Sequence, residues 1–218
     1  MENRLCRAPG RDDVYILEFR QTFCASPLKE AFLVVFTCDD DLFNDIMTSD
    51  VVVDELVGTS PDEWKDIDEQ IKTLSFNAAR NHLGRRESIE VMPRVVNAAD
   101  LGAKLGSVVA DDRVRVLEYE LHEEAGWTYE YFYRVVNRLS DPYYYWMAVN
   151  PMFVTKLVID YRELKPLVGR VSANCILAST DSSHDRELGV YVANVGSLVW
   201  PGQGAIIVWR TSESVTTA

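Results

Sequence analysis

The sequence predicts a predominantly β protein of the α+β class: an antiparallel β-sandwich, immunoglobulin-like or jelly-roll, that carries an acidic helical insertion. Three observations lead there. From Asp111 onward no apolar pattern has helical period, and short alternating runs recur between Gly, Pro, Asn and Asp turns. The strong helical signals lie between Asp39 and Leu83, in a segment dense in carboxylates. Hydrophobic residues make up 47% and charged residues 26% of 218, which supplies a core without disulfide or metal staples and excludes global disorder.

In chain order, Val14–Phe23 is rich in β-formers, and Ala31–Thr37 (AFLVVFT) is a continuous apolar run suited to a doubly buried strand. Ser26-Pro27-Leu28-Lys29 between them is turn chemistry, so residues 13–38 read as a β-hairpin joining the sheets. Leu42, Phe43, Ile46 and Met47 then follow an Asp-rich start, which suits a short helix. Ser60-Pro61-Asp62-Glu63 has the makings of a capping box, with Ser60 as cap, Pro61 at the first helical position and Glu63 closing it. Trp64, Ile67, Ile71, Leu74 and Ala78 recur at 3.6 spacing and Gly84 follows Leu83, so a helix is expected from Pro61 to Leu83 with Trp64 as its core anchor. Residues 39–84 are thus the helical insertion. Residues 85–210 form the main sandwich, residues 211–218 a tail, and the whole a single domain. Within the sandwich, Ala98–Leu105 reads as a short helix capped by Asn97 and ended by Gly106. Alternation marks strands over 113–122, 128–136, 143–149, 156–161, 172–178, 188–192 and 205–210.

The run EYELHEEAGWTYEYFYRVVNRLSDPYYYWMAV, followed by KLVIDYREL and PGQGAIIVWR, resembles immunoglobulin-like β-sandwich modules attached to bacterial regulatory and sensory proteins. There a YRVxN strand, here Tyr133–Asn137, leads into a polar turn, and a closing strand follows a Pro-Gly turn. The likeness covers Arg113–Arg210. It implies a sandwich fold and a non-enzymatic role.

Charge is concentrated. Between Asp39 and Gln70 twelve acids face one base, Lys65, so this stretch carries −11 of the net −12. Such a surface repels phosphate backbones, and no Lys/Arg stripe lies elsewhere, so direct nucleic-acid binding through it is not expected. A basic protein partner fits it, and so does a solvated face that only aids solubility. Its candidate partner-binding acids are Asp39, Asp40, Asp41, Asp45, Asp54, Glu55, Asp62, Asp66 and Glu69. A second candidate surface is aromatic: Tyr131 and Tyr133 on one strand, and Tyr143, Tyr145 and Trp146 on the next, as a sheet-stabilising ladder or an interface.

No catalytic or metal-binding pattern emerges, and no catalytic residue, cofactor or metal is assigned. Ser182-Ser183-His184-Asp185 has the letters of a hydrolase triad, but neighbours on one loop do not supply its geometry, and a polar surface loop is expected. His122-Glu123-Glu124 lacks HExxH spacing, and Asp39–Asp41 with Asp45 lacks the alternation of a calcium loop. Gly202-Gln203-Gly204 opens a strand and is no phosphate loop. Cys6, Cys24, Cys38 and Cys175 form no CxxC pair. In the expected hairpin Cys24 and Cys38 are not cross-strand partners, so four free thiols in a reducing, cytoplasmic compartment are expected. No apolar run reaches the roughly 18–20 residues of a membrane span, and Arg4 and Arg7 precede no signal-peptide core.

The expected function is therefore non-enzymatic: a protein-protein interaction or assembly subunit working through the aromatic sheet and the acidic helical surface. Two alternatives stand beside it. One is a viral coat or shell subunit, located in a virion. The other is a small-molecule sensor or an enzyme without a recognisable motif.

Overall fold

The computed structural model describes residues 1–24, 29–49, 52–82, 85–97, 99–100, 113–122, 126–177 and 181–211. Six sequence expectations fall wholly or partly outside them: the turn at Ser26–Lys29, the helix at Ala98–Leu105, the stop at Leu83-Gly84, the Glu123-Glu124 tip, the end of the strand over 172–178 and the tail over 211–218. The structure is mostly β, as expected. The chain divides into two compact units, Met1–Arg20 with the chain from Arg134 onward, and Gln21–Tyr133.

In the first unit, β1 (Glu2–Arg7) pairs antiparallel with β2 (Val14–Phe23) and parallel with β11 (Met152–Asp160). Strand β11 continues antiparallel to β14 (Val190–Val199), and β14 to the edge strand β13 (Asp181–Asp185). A separate sheet has the order β10 (Tyr143–Met147), β15 (Gly204–Thr211), β12 (Val168–Ile176). Leu5, Phe19, Leu157, Ile159, Ala193 and Ile207 are fully buried in this unit. Trp209 donates its indole N–H to the Leu139 carbonyl at 3.3 Å and meets Tyr15 edge-on at 5.7 Å.

The second unit holds a four-stranded sheet in the order β4 (Glu55–Gly58), β3 (Ala31–Thr37), β8 (Val114–Glu120), β7 (Arg94–Val96). It also holds the antiparallel set β9 (Thr128–Arg138), β5 (Ser75–His82), β6 (Arg85–Glu90). The division between units falls inside β2 and inside β9. Aromatic rings fill the core. Phe76 of β5 stacks on Tyr119 of β8 at 4.5 Å and lies 5.3 Å from Phe32 of β3, which in turn lies 5.4 Å from Tyr131 of β9. Alternation explains these strands. Tyr129, Tyr131 and Tyr133 point inward, and Glu130 points to solvent.

Four expectations are corrected. The hairpin over 13–38 does not form, because β2 takes β1 as its partner while β3 takes β4 and β8. The sheets are not purely antiparallel, since β1–β11 and β3–β4 run parallel. A parallel neighbour needs a crossover of a dozen or more residues. The helix α1 (Asp40–Thr48) is that crossover between β3 and β4. Its Ile46 packs with Val35, Val53, Val114 and Val116 beneath it.

The long helix over Pro61–Leu83 is the third correction. The chain instead makes a 3-10 turn at Pro61–Asp66, the short helix α2 (Ile67–Ile71) and then strand β5. Ser60 makes no side-chain cap bond, and Glu63 is buried rather than closing a capping box. Thr73 ends the helix by turning its hydroxyl and its N–H onto the Gln70 carbonyl. Ala78 fits a two-residue period with Phe76 as well as the helical stripe, and pairing with β6 and β9 on both sides decides for the strand. Trp64 is half-buried, with the Arg115 guanidinium 5.6 Å from its ring centre. The fourth correction is that Asp181–Asp185 is an edge strand rather than a loop.

The start of α1 follows the usual capping chemistry. Asp39 Oδ1 accepts the N–H groups of Asp41 and Leu42 at 3.0 and 3.1 Å. The Leu42 amide is the largest influence holding the Asp39 carboxyl below its ordinary range. Asp39→Ala is expected to lower the unfolding free energy by about 1 kcal/mol, read from urea denaturation, and Asp39→Asn by much less.

Candidate functional site

The acids foreseen as one surface separate into two groups. Asp40, Asp41 and Asp45 lie exposed or near the surface on α1, and Asp62, Asp66 and Glu69 lie exposed on the 3-10 turn and α2. Asp39 is engaged as the helix cap and also meets Arg113 at 3.4 Å. Asp54 and Glu55 are interior, so they belong to no surface. Asp54 accepts the Leu33 amide at 2.8 Å and pairs with Lys29. Glu55 accepts the Tyr133 hydroxyl at 3.3 Å. Burial pushes the Glu55 carboxyl up to about 8, against the opposing pull of that hydrogen bond, and the neighbouring Asp54 adds to the rise. A neutral, protonated Glu55 is therefore the resident form at neutral pH.

The aromatic candidates separate as well. Tyr131 and Tyr133 are core residues of the second unit, at 0% and 4% exposure, and no partner reaches them there. Trp146 is buried too, on the inward face of β10. Tyr143 and Tyr145 point the other way and stack on each other at 6.0 Å. Strand register sets out what surrounds them: Tyr143 lies opposite Val208, which lies opposite Ser172, while Tyr145 lies opposite Ile206, which lies opposite Asn174. At the far end Met147 pairs with Gly204, and Gly204 with Ile176.

The outer face of β10-β15-β12 thus carries Tyr143, Tyr145, Met147, Ile206, Val208 and Ile176, with Ser172 and Asn174, and Arg210 at the end of β15. Tyr143 is 45%, Val208 37% and Ile176 67% exposed. The inner face is buried and equally apolar, through Tyr144, Trp146, Ala205, Ile207 and Trp209. Gly204 fixes the approach of the strands. A Cβ there would stand 1.9 Å from the Trp146 carbonyl oxygen, so only glycine lets β15 lie this close to β10. Arg210 is exposed on this face beyond Val208, and Arg170 is exposed at the start of β12.

Sequence reasoning found Tyr143 and Tyr145 but missed Ile206, Val208 and Ile176. A strand apolar at every position reads as buried on both sides. The signal lay in the register, which pairs them with the tyrosines.

The hydrolase-like letters do not assemble. On β13, Ser182 and His184 face one way and Ser183 and Asp185 the other. His184 Nε2 shares a hydrogen bond of 2.7 Å with the Tyr161 hydroxyl, and Asp185 accepts the Leu188 amide in the following turn. Burial first, and Arg186 second, hold the His184 ring below its ordinary value. Cys6, Cys24, Cys38 and Cys175 are free thiols, and burial pushes that of Cys6 up to about 11. Among the described residues no cluster of His, Cys, Asp or Glu is arranged to hold a metal. No helix among them is long and apolar enough to cross a membrane. No model of a known protein family, no curated protein and no solved structure matches the chain.

Proposed function

We propose that the protein is a non-enzymatic assembly subunit of the β-sandwich class, and that the outer face of β10-β15-β12 is its contact surface with a second copy of itself. One observation carries this reading: a sheet apolar on both faces, with the outer one free of acidic side chains and open at Tyr143, Val208 and Ile176. Monomeric proteins rarely leave such a contiguous patch bare, and a patch of this kind marks an interaction site. Tyr143 and Tyr145 along its β10 edge are of the residue type favoured at interfaces.

A self-complementary pairing across a two-fold axis suits a flat sheet face of this kind. It also suits the charge. A chain of net −12 repels its copies, and this face, which carries no acidic side chain, belongs to a different unit from the Asp39–Gln70 acids. The acids on α1 and α2 are then the solvated surface that keeps the assembly soluble. Facing aromatic layers in the second unit support the sandwich assignment, as does the likeness of residues 113–210 to immunoglobulin-like modules.

The double variant Tyr143→Ser/Val208→Thr removes two apolar side chains from solvent-exposed positions. It is expected to dissociate the assembly in sedimentation velocity while leaving the thermal midpoint of the separated chain nearly unchanged. An assembly of unaltered mass in this variant places the contact elsewhere.

A further inference from the structure

The outward face of β9-β5-β6 holds a polar trough, built by the same alternation that points Phe76, Tyr129 and Tyr131 into the core. Register aligns three small residues across its floor: Thr128 of β9 opposite Ala79 of β5, opposite Ser88 of β6. Two residues along β5 in one direction stands Asn77, opposite Glu130. Two residues in the other stands Asn81, opposite Arg86. Small side chains in the middle and long ones on both sides leave a cleft of about 630 Å³, within the range of small-molecule sites. Four residues of extended chain separate Asn77 from Asn81, about 13 Å.

The chemistry of the walls is directional. Arg86 makes no ion pair with any described residue, and it stands with the Asn81 amide on one wall. Arg80 alternates to the opposite face of β5, where its guanidinium lies 4.6 Å from the Trp127 ring centre and its Nε bonds Glu87 at 2.8 Å. The opposite wall offers the Glu130 carboxylate and the Asn77 amide. The Arg86 guanidinium thus stands at one end of the trough and the Glu130 carboxylate at the other, where Glu90 of β6 also lies opposite Asn77. The floor adds hydroxyls from Thr128 and Ser88 and an apolar Ala79.

An unpaired guanidinium with amides around it recognises an anionic group bidentately. A carboxylate and amides across a hydroxyl-lined floor recognise hydroxyl groups. We propose that this trough binds a small hydroxyl-rich anion, a sugar phosphate or sugar acid, with the anion on Arg86 and Asn81 and the hydroxyls toward Glu130 and Asn77. The strands that carry the site are fixed from behind by the aromatic core, so it is preorganised. The site is separate from the β10-β15-β12 face and does not depend on its role.

The test is titration of the full-length, isotope-labelled chain with glucose 6-phosphate, glucuronate, glucose and inorganic phosphate, followed by NMR. The side-chain amides of Asn77 and Asn81 report binding. Shifts of both amides by glucose 6-phosphate or glucuronate, at least about tenfold tighter than by glucose or phosphate alone, are expected. Which of the two charged sugars binds tighter identifies the anion. Arg86→Gln should abolish that preference over glucose, and Ala79→Tyr, which fills the floor from the solvent side, should abolish all binding with the fold intact by circular dichroism. Equal affinity for phosphate and glucose 6-phosphate would reduce the site to ion pairing at one arginine. Silence of both amides with every probe, or undiminished binding in Ala79→Tyr, would overturn the proposal.

Discussion

Truncation of Phe76 to alanine is expected to cost about 3–5 kcal/mol, a large fraction of the stability of a domain this size. The ring is 1% exposed and lies at the centre of the aromatic core. It stacks on Tyr119 at 4.5 Å and meets Phe32, Tyr129 and Tyr131 between 5.3 and 5.9 Å. Those partners come from three strands, so no single one can collapse into the vacancy, and the cavity contribution adds to the lost transfer energy. Guanidinium denaturation checks the value. The same measurement on Tyr143→Ser should show less than about 1 kcal/mol, because that ring stands in solvent. Similar costs at both positions would contradict the division of the tyrosines into a core set and a surface set.

Glu55→Gln is expected to stabilise the protein, and increasingly so as pH rises. The folded-state value of Glu55, about 8, lies above its ordinary 4.5. Between those values the folded chain holds a proton that the unfolded chain has released. Stability therefore falls with rising pH across this window, by roughly 1.4 kcal/mol per pH unit for this group. Below about pH 4.5 both states are protonated and the loss is absent; above about 8 it is complete. Glutamine copies the neutral acid and does not titrate. The gap between variant and wild type should thus be near zero at pH 4 and reach about 3 kcal/mol or more by pH 8. Denaturation midpoints across that range test it. A gap independent of pH would mean that Glu55 is ionised in the fold.

The parts of the fold legible in the sequence are those where one face is buried and one wet. Thr128–Val136 alternates because Tyr129, Tyr131 and Tyr133 face a core and Glu130 faces water, and the strand is found where expected. The short helix after Asp39 is legible because its cap, its acidic first turn and Ile46 all agree. Where two periods fit the same residues, local pattern fails. Ile67, Ile71, Leu74 and Ala78 continue a helical stripe through Ser75–His82, and strand pairing on both sides overrides it. That error hides the trough as well, since Asn77, Ala79 and Asn81 share a face only on a strand. The partners of Val14–Phe23 and Ala31–Thr37 were out of reach for a different reason: β1 and β8 lie far along the chain or carry little apolar signal of their own.

The contact surface was legible by half. Tyrosines at 143 and 145 stand out by composition, but Tyr131 and Tyr133 stand out equally and are core. Composition says that aromatic rings are abundant, whereas burial says which of them are available.

Size-exclusion chromatography with light scattering, over a concentration series at low and high salt, tests the assembly reading most directly. A mass above that of the 24.8 kDa chain, growing with concentration and persisting at high salt, is expected, because the contact is mainly apolar. A single-chain mass at every concentration and salt would contradict it.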